Sequence, residues 1–129
     1  MSSTYVCLNC DTGLVLAYYA LAAGGLSHEA ASSRVAKGVP RHEIPVIILV
    51  RMAVDVSAQG QGLGQAMMRD ALVRVDAVAD TVGIRCLLIH AKDERARAFY
   101  LRFAEFEPSP TDPMNLQLMM KDLRLITRA

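Results

Sequence analysis

Gln59-Gly60-Gln61-Gly62-Leu63-Gly64 joins an apolar, strand-like run, Val46 to Val56, to a helix-like run that begins near Leu63. Three glycines in five residues mark a backbone built to approach a ligand. Glycine has no Cβ, so alternate glycines let successive N–H groups turn inward, and a helix start adds unpaired donors and a positive dipole end. That combination is a pyrophosphate cradle. It is not a Walker loop, because no Gly-Lys-Ser/Thr follows, and the dinucleotide fingerprint fails at Gln65, where a third glycine or alanine belongs. A CoA-type pyrophosphate remains, beside the plainer reading of a turn that merely needs flexible residues.

Upstream, Pro45 opens Val46-Ile47-Ile48-Leu49-Val50, apolar without alternation and so covered on both faces. Alternation sets in with Met52, Val54 and Val56 against Arg51, Ala53 and Asp55, and the run reads as the central strand. Downstream, Leu63, Met67, Ala71, Val75, Val78 and Val82 recur every three or four residues, an amphipathic helix stopped by Gly83. Ile84 to His90 reads as a second buried strand, with Cys86 in the core. Asp93 caps a helix through Phe103, and Met114 to Met120 alternates weakly as a last strand. Tyr5 to Leu8 and Leu14 to Leu21, separated by Asn9-Cys10-Asp11-Thr12-Gly13, form an antiparallel hairpin that Gly24 and Gly25 end. Ser27 caps a short irregular helix to about Lys37, broken by Gly38-Val39-Pro40. The order predicts a mixed α/β layer fold in which two neighbouring parallel strands are joined through the glycine-rich loop and its helix.

A chain of 129 residues is read as one domain. Its apolar fraction of 53% and mean hydropathy of +0.26 suggest buried strands and an apolar surface for a partner to cover. The longest charge-free stretch, Thr12 to His28, is broken by glycines, tyrosines and a serine and is too short to span a bilayer; Met1-Ser2-Ser3-Thr4 does not open a secretory signal. The expected location is cytoplasmic. A net charge of +1 argues against gripping nucleic acid over the whole surface, although 11 of the 14 basic residues are arginine, which leaves room for a local patch. Cys7 and Cys10 make a C-x-x-C without a second pair, so they read as structural and no metal site is expected.

Arg51-Met52-Ala53-Val54-Asp55, then the glycine loop, then Ala98-Phe99-Tyr100, in that order and spacing, resemble a GCN5-related N-acetyltransferase (GNAT). Ala17-Tyr18-Tyr19-Ala20-Leu21, Pro45 and Pro108-Ser109-Pro110-Thr111-Asp112-Pro113-Met114 look like the toxin branch of toxin–antitoxin pairs, whose members acetylate the amino acid carried on transfer RNA. The resemblance runs from about Tyr5 to Leu123. It implies an α/β (α+β) GNAT fold over residues 1–129, with a mixed central sheet and flanking helices. Most such toxins carry a further strand and two helices ahead of the region matching Tyr5, bordering the substrate cleft, so the expected domain is N-terminally short and acceptor recognition is the function most affected.

The resemblance also implies a site. Met52, Ala53 and Val54 pair through their backbones with the pantetheine arm of acetyl-CoA, and Gln59, Gly60, Gln61, Gly62, Leu63, Gly64, Gln65 and Ala66 hold the pyrophosphate. Asp93 stands where many members carry an asparagine that contacts pantetheine, a departure that favours a cap, and Phe99 lies on the helix beside the cofactor. Tyr100 matches the tyrosine that gives a proton to the departing CoA thiolate; a phenol of pKa ~10 suits a thiol leaving group of roughly 8.5 to 9. An aminoacyl ester amine is largely neutral at physiological pH, so no strong base is required. His42 and Glu43 read as solvated, His90 reads as a hydrogen-bonded residue at the core edge, and none enters the catalytic set.

Arg34, Lys37, Arg41 and Arg51 are the candidates for tRNA phosphates, each with a competing reading as a solvated charge. Arg95 and Arg97 have a competing reading as contacts for a ribbon-helix-helix antitoxin, which the resemblance implies as partner, and a homodimer is the expected cover for exposed apolar surface. Phe103-Ala104-Glu105-Phe106 replaces the more usual Gly-Phe, pointing to a different turn after the helix. Three functions stay open from the sequence: the aminoacyl-tRNA acetyltransferase toxin, an acetyltransferase for a small amine or protein N-terminus, and a non-catalytic remnant that binds CoA or an antitoxin.

Overall fold

A computed structural model describes residues 2–40 and 42–129. Six strands, β1 (Ser2–Leu8), β2 (Val15–Leu26), β3 (Ile44–Val54), β4 (Cys86–His90), β5 (Glu107–Pro108) and β6 (Asn115–Met119), form one sheet in the order β1-β2-β3-β4-β6-β5. Four helices accompany it: α1 (Ser33–Ala36), α2 (Leu63–Val82), α3 (Glu94–Phe103) and α4 (Met120–Thr127). Among the described residues only β3 and β4 are parallel, and α2 is the crossover between them. This is the mixed sheet with flanking helices expected from the sequence.

The strand alternation divides the core. Tyr19, Ile47, Leu49, Leu87, Ile89, Leu116 and Leu118 point to the face covered by α2 and α4. Val46, Cys86 and Leu88 point to the other face, under α1. Four consecutive buried residues, Cys86 to Ile89, follow from cover on both sides of β4. Burial pushes the Cys86 thiol up to about 12, against the charge of Arg85. Cys7, Cys10 and Cys86 are all free thiols.

Several boundaries differ from the sequence reading. Gly24 and Gly25 do not end the hairpin; β2 continues through them to Leu26, paired with β3. A Cβ on Gly24 would sit 2.5 Å from Ile48 Cδ1, and one on Gly25 would overlap the Glu43 side chain. The pair therefore makes room for neighbours on the sheet. Ser27 holds only a turn, accepting from Ala30 N at 3.2 Å, and the true cap is Ser32, which accepts from Val35 N at 3.3 Å. Pro45 lies inside β3, opposite Gly25, and its carbonyl accepts from Arg85 N at 2.9 Å. The strand stops at Val54, because Asp55 caps a single 3-10 turn, Val56–Ala58, leaving Val56 83% exposed.

α2 has the expected ends, with Gly83 in the left-handed region at φ 69°. Its buried stripe, however, is Met67, Met68, Ala71, Leu72, Val75 and Ala79, while Val78 and Val82 face outward. α4, which the sequence reading missed, packs along α2 and widens its covered side. It starts directly from β6, with no turn residue and no side-chain cap to announce it.

Three side-chain clusters tie the layers. Asp76 of α2 accepts from Arg128 Nη2 at 2.9 Å, Thr127 Oγ1 at 2.8 Å and Arg124 Nε at 3.2 Å, fixing α4. The Tyr19 hydroxyl donates to Asp70 and accepts from Arg74 Nε at 2.9 Å, while the Arg74 guanidinium lies 3.9 Å from the Tyr5 ring centroid. On the other face, the fully buried Gln117 accepts from Ser32 N and donates to Ala30 O, each at 2.8 Å, and Arg85 donates to the carbonyls of Val35, Arg34 and Lys37. That is how a four-residue helix stays in place.

Leu123 is fully buried, so Leu123→Ala is expected to cost about 3 kcal/mol in denaturant unfolding. Arg128, then Thr127 and Arg124, hold the Asp76 carboxyl down at about 2, below its ordinary value of 3.8. A depressed carboxylate stabilises the fold above its unfolded pKa and loses that contribution as pH falls through the folded value. In thermal melts, the gap between wild type and Asp76→Asn should therefore be widest above pH 4 and close as pH drops toward 2.

Candidate functional site

The site begins with a disagreement in strand length. Val46 to Leu49 of β3 pair with Cys86 to Ile89 of β4, and there the parallel pairing ends. His90 continues on β6, opposite Asn115, while β3 runs on to Val54 paired only with β2. At the parting point, Leu21 faces Leu49 and Ala20 faces Arg51, so Val50 is an unmatched residue, a β-bulge that turns the end of β3 away from β4. Backbone groups of residues 50–54 that face away from β2 are left without a strand partner.

A cleft of about 830 Å³ fills the gap, within the size range of small-molecule sites. β3 contributes Leu49 through Val54. The loop and the start of α2 contribute Ala58, Gln59, Gly60, Gly62, Leu63, Gly64 and Gln65. Ile89, His90, Lys92 and Asp93 come from the end of β4 and the turn after it, with Arg95, Ala96, Phe99 and Tyr100 from α3 and Tyr18 from β2.

Gly60 and Gly62 have φ of 81° and 77°, where side chains are strained, and a Cβ on either would meet nothing within 4 Å. Glycine here serves backbone direction and open approach. Gly62 is the N-cap of α2 and offers no side-chain cap, so the first-turn amides stay available for an anion. The Gln59 side chain donates to Val54 O at 3.0 Å and folds the loop against the end of β3. Asp55 secures the intervening turn by accepting from the Ser57 hydroxyl and from Ser57 N at 3.0 Å, and these two bonds lower its carboxyl pKa.

α3 is placed by Asp93, which accepts from Ala96 N at 2.8 Å, and by Arg97, which donates to Pro113 O at 2.9 Å. The helix carries Tyr100 into the cleft wall, 8% exposed, with its ring 5.4 Å from that of Phe99 and 6.2 Å from that of Phe106. Burial alone raises the phenol pKa, which keeps the proton on the oxygen at neutral pH.

The cleft thus gathers Tyr100, Met52, Ala53, Val54, Gln59, Gly60, Gly62, Leu63, Gly64, Gln65, Asp93, Phe99 and Arg51 from the residues singled out in the sequence. Gln61 and Ala66 are exposed and lie off its wall. Arg34 and Lys37 do not reach it: Arg34 pairs with Asp122 at 3.0 Å and Glu107 at 3.3 Å across the α1 face, and Lys37 ends α1 with its carbonyl accepting from Arg85. Arg41 lies outside the described residues. Arg97 is committed to Pro113 and Glu94, whereas Arg95 lines the cleft. His90 departs from the core-edge reading, for its side chain is 63% exposed in the cleft wall, with Nδ1 3.6 Å from Asp112 Oδ2. Tyr18 and Lys92 were missed as lining residues; the register that sets Tyr18 beside Ala53 comes only from the fold. Among the described residues there is no cluster of three metal-binding side chains and no helix long and apolar enough to cross a membrane.

A parallel strand pair that parts over a glycine-rich helix start, with a protonated tyrosine beside the gap, defines an acyltransferase that works on a CoA thioester. The chain belongs to the GNAT acetyltransferase family, in its toxin branch: the model for the acetyltransferase (GNAT) domain matches residues 8–104. It is an N-acetyltransferase by that membership. It is 47% identical over 119 residues to a tRNA-acetylating toxin of Mycobacterium tuberculosis (strain ATCC 25618 / H37Rv), covering 92% of this chain and 70% of that protein. AtaT complexed with acetyl-methionyl-tRNAfMet is similar in structure, with a TM-score of 0.84 and 31% identity over 95% of this chain and 74% of that one. A mutant AtaT toxin bound to the C-terminus of the antitoxin AtaR and acetyl-CoA gives a TM-score of 0.72 at 28% identity, over 89% and 67% of the two chains.

The two glycine types in the loop should separate in stability. Gly62→Ala forces a left-handed side chain and is expected to cost about 1 to 2 kcal/mol. Gly64 has ordinary backbone angles, and its Cβ would rest 3.5 Å from the Phe99 ring, so Gly64→Ala should melt within about 0.5 kcal/mol of wild type.

Proposed function

We propose that this chain transfers the acetyl group of acetyl-CoA to the amino group of an aminoacyl-tRNA and thereby stops translation, its 129 residues acting as one domain. The observation that carries the reading is the parting of β3 from β4 at Leu49 and Ile89 with Tyr100 beside the gap. The similarity to a tRNA-acetylating toxin supplies the acceptor.

The edge of β3 from Met52 to Val54, without a strand partner on the side away from β2, has the geometry to bind the pantetheine amides as an added strand, and Gln59, Gly60 and Gly62 to Gln65 with the free amides of α2 suit the pyrophosphate. Acetyl-CoA supplies an activated thioester. Tyr100 gives its proton to the sulfur as the carbon–sulfur bond breaks, a task for which a phenol kept neutral by burial is suited. Asp93 is spent as a helix cap. Three basic side chains, Arg51, Lys92 and Arg95, against one acidic, Asp93, give the cleft wall a positive balance that favours a phosphate-bearing acceptor over a small amine. With Arg34 and Lys37 off the cleft, Arg51 is the retained phosphate contact, and Lys92 and Arg95 join it.

An antitoxin is the natural inhibitor in this reading, as AtaR is bound to AtaT, and we take it to be of the ribbon-helix-helix kind. The exposed Val6, Leu8, Leu14 and Val15 on the N-terminal hairpin support a homodimer. The site of action is the cytoplasm, where charged tRNA is found.

The test is transfer of labelled acetyl from acetyl-CoA to a charged tRNA pool, with uncharged tRNA as control. Label should appear on charged tRNA alone, and Tyr100→Phe should lower kcat by about 10²-fold while leaving acetyl-CoA binding by calorimetry unchanged. Intact acetyl-CoA binding without transfer to charged tRNA would end the tRNA reading and leave a small amine as acceptor.

A further inference from the structure

Strand alternation sets Tyr100 and His90 on opposite sides of the sheet. Leu87 and Ile89 of β4 belong to the core shared with α2 and Tyr100, whereas Leu88 belongs to the core under α1, and His90 follows Leu88 onto that second face. His90 is also the first residue of β4 beyond the parallel pairing with β3. Both residues line the same cleft, one from each side of the gap.

A carboxylate lies beside the imidazole. Asp112 is fixed in the loop between β5 and β6, its Oδ1 accepting from Met114 N at 2.9 Å and its carbonyl from Asn115 N at 3.1 Å, and its Oδ2 stands 3.6 Å from His90 Nδ1. Arg97 braces the same loop from α3 through Pro113 O. With Nδ1 beside a carboxylate, Nε2 is the ring nitrogen left to take a proton.

We propose that His90 is the proton acceptor for the attacking amine, with Asp112 beside it, working from the sheet face opposite Tyr100. This rests on the acyl-transfer reading above. A neutral amine needs no base before attack, but the nitrogen gains a positive charge when its bond to the thioester carbonyl carbon forms, and that proton must leave. It passes to His90 Nε2. The carbon–sulfur bond then breaks, the sulfur takes the Tyr100 proton, and the phenolate is reprotonated from the imidazolium through solvent. The sum is amine plus thioester giving amide plus thiol. Acid and base on opposite faces match an acceptor and a leaving thiol that enter from opposite sides. The other charged groups lining this cleft are Arg51 on β3, Lys92 and Asp93 after β4, and Arg95 on α3. None is placed as His90 is, at the gap with a fixed carboxylate behind it.

The experiment measures kcat and KM against pH, with both substrates saturating for kcat, on charged tRNA and on an amino-acid ethyl ester as minimal acceptor. His90→Gln should lower kcat at neutral pH by about 10²-fold, with the acceptor KM within twofold, and should flatten the rising limb of the kcat profile. Asp112→Asn should lower kcat less than His90→Gln does, with the acceptor KM unchanged, because it removes the carboxylate beside the ring and leaves the ring itself. Added imidazole should restore part of the rate of His90→Ala. A raised KM with kcat and the limb unchanged would make His90 an acceptor contact only and overturn the proposal, as would a folded His90→Ala that imidazole does not rescue. Wild-type activity on the ester but not on charged tRNA would sink the tRNA reading while His90 is still decided on the ester; activity on neither would take both down.

Discussion

Everything in the site depends on two parallel strands that cannot stay together. β3 is held along its whole length by β2, eleven residues of strand against twelve, while β4 is short and committed to β6. The bulge at Val50 resolves the competition by turning β3 aside one residue after its last bond to β4. A sheet that closed there would have no cleft. The unsatisfied backbone that results is costly to bury and useful to leave open, since an extended amide-bearing ligand can complete it.

The other parts of the site are positioned from that opening. The glycine loop follows directly because β3 ends at Asp55, whose cap turns the chain toward α2 and lets Gln59 close back on Val54. α3 follows β4 after three residues, so Asp93 both terminates the turn and starts the helix that carries Tyr100. The glycine-loop side of the cleft is therefore built from short-range connections along the chain. The opposite face is assembled differently, from long-range contacts such as His90 with Asp112 and Gln117 with Ser32 and Ala30.

That difference explains what could be read from the sequence. Gly62, Gly83 and Asp93 act through backbone rules confined to a few residues, so the ends of α2 and α3 and the parallel crossover were legible. Gly24 and Gly25 were misread because their reason lies in Ile48 of β3 and in Glu43 just before it, and composition alone makes any Gly-Gly look like a stop. α4 gave no punctuation at all. Arg34 was assigned to a cleft because its charge was visible and its partners, Glu107 and Asp122, are more than seventy residues away in the chain. The place of Tyr100 in the cleft wall was suggested only by the family resemblance, as an aromatic pair on a helix reads equally well as packing.

Tyr19 links two parts of the molecule that the chain keeps fifty residues apart. It sits between the cleft residue Tyr18 and the buried Ala20, opposite Met52, and its hydroxyl is gripped by Asp70 and Arg74 of α2. Arg74 in turn lies over Tyr5 on the outermost strand. The hairpin, the open end of β3 and the helix that begins at the glycine loop are thus tied through one hydroxyl, although none of Tyr5, Tyr19, Asp70 and Arg74 lines the cleft itself.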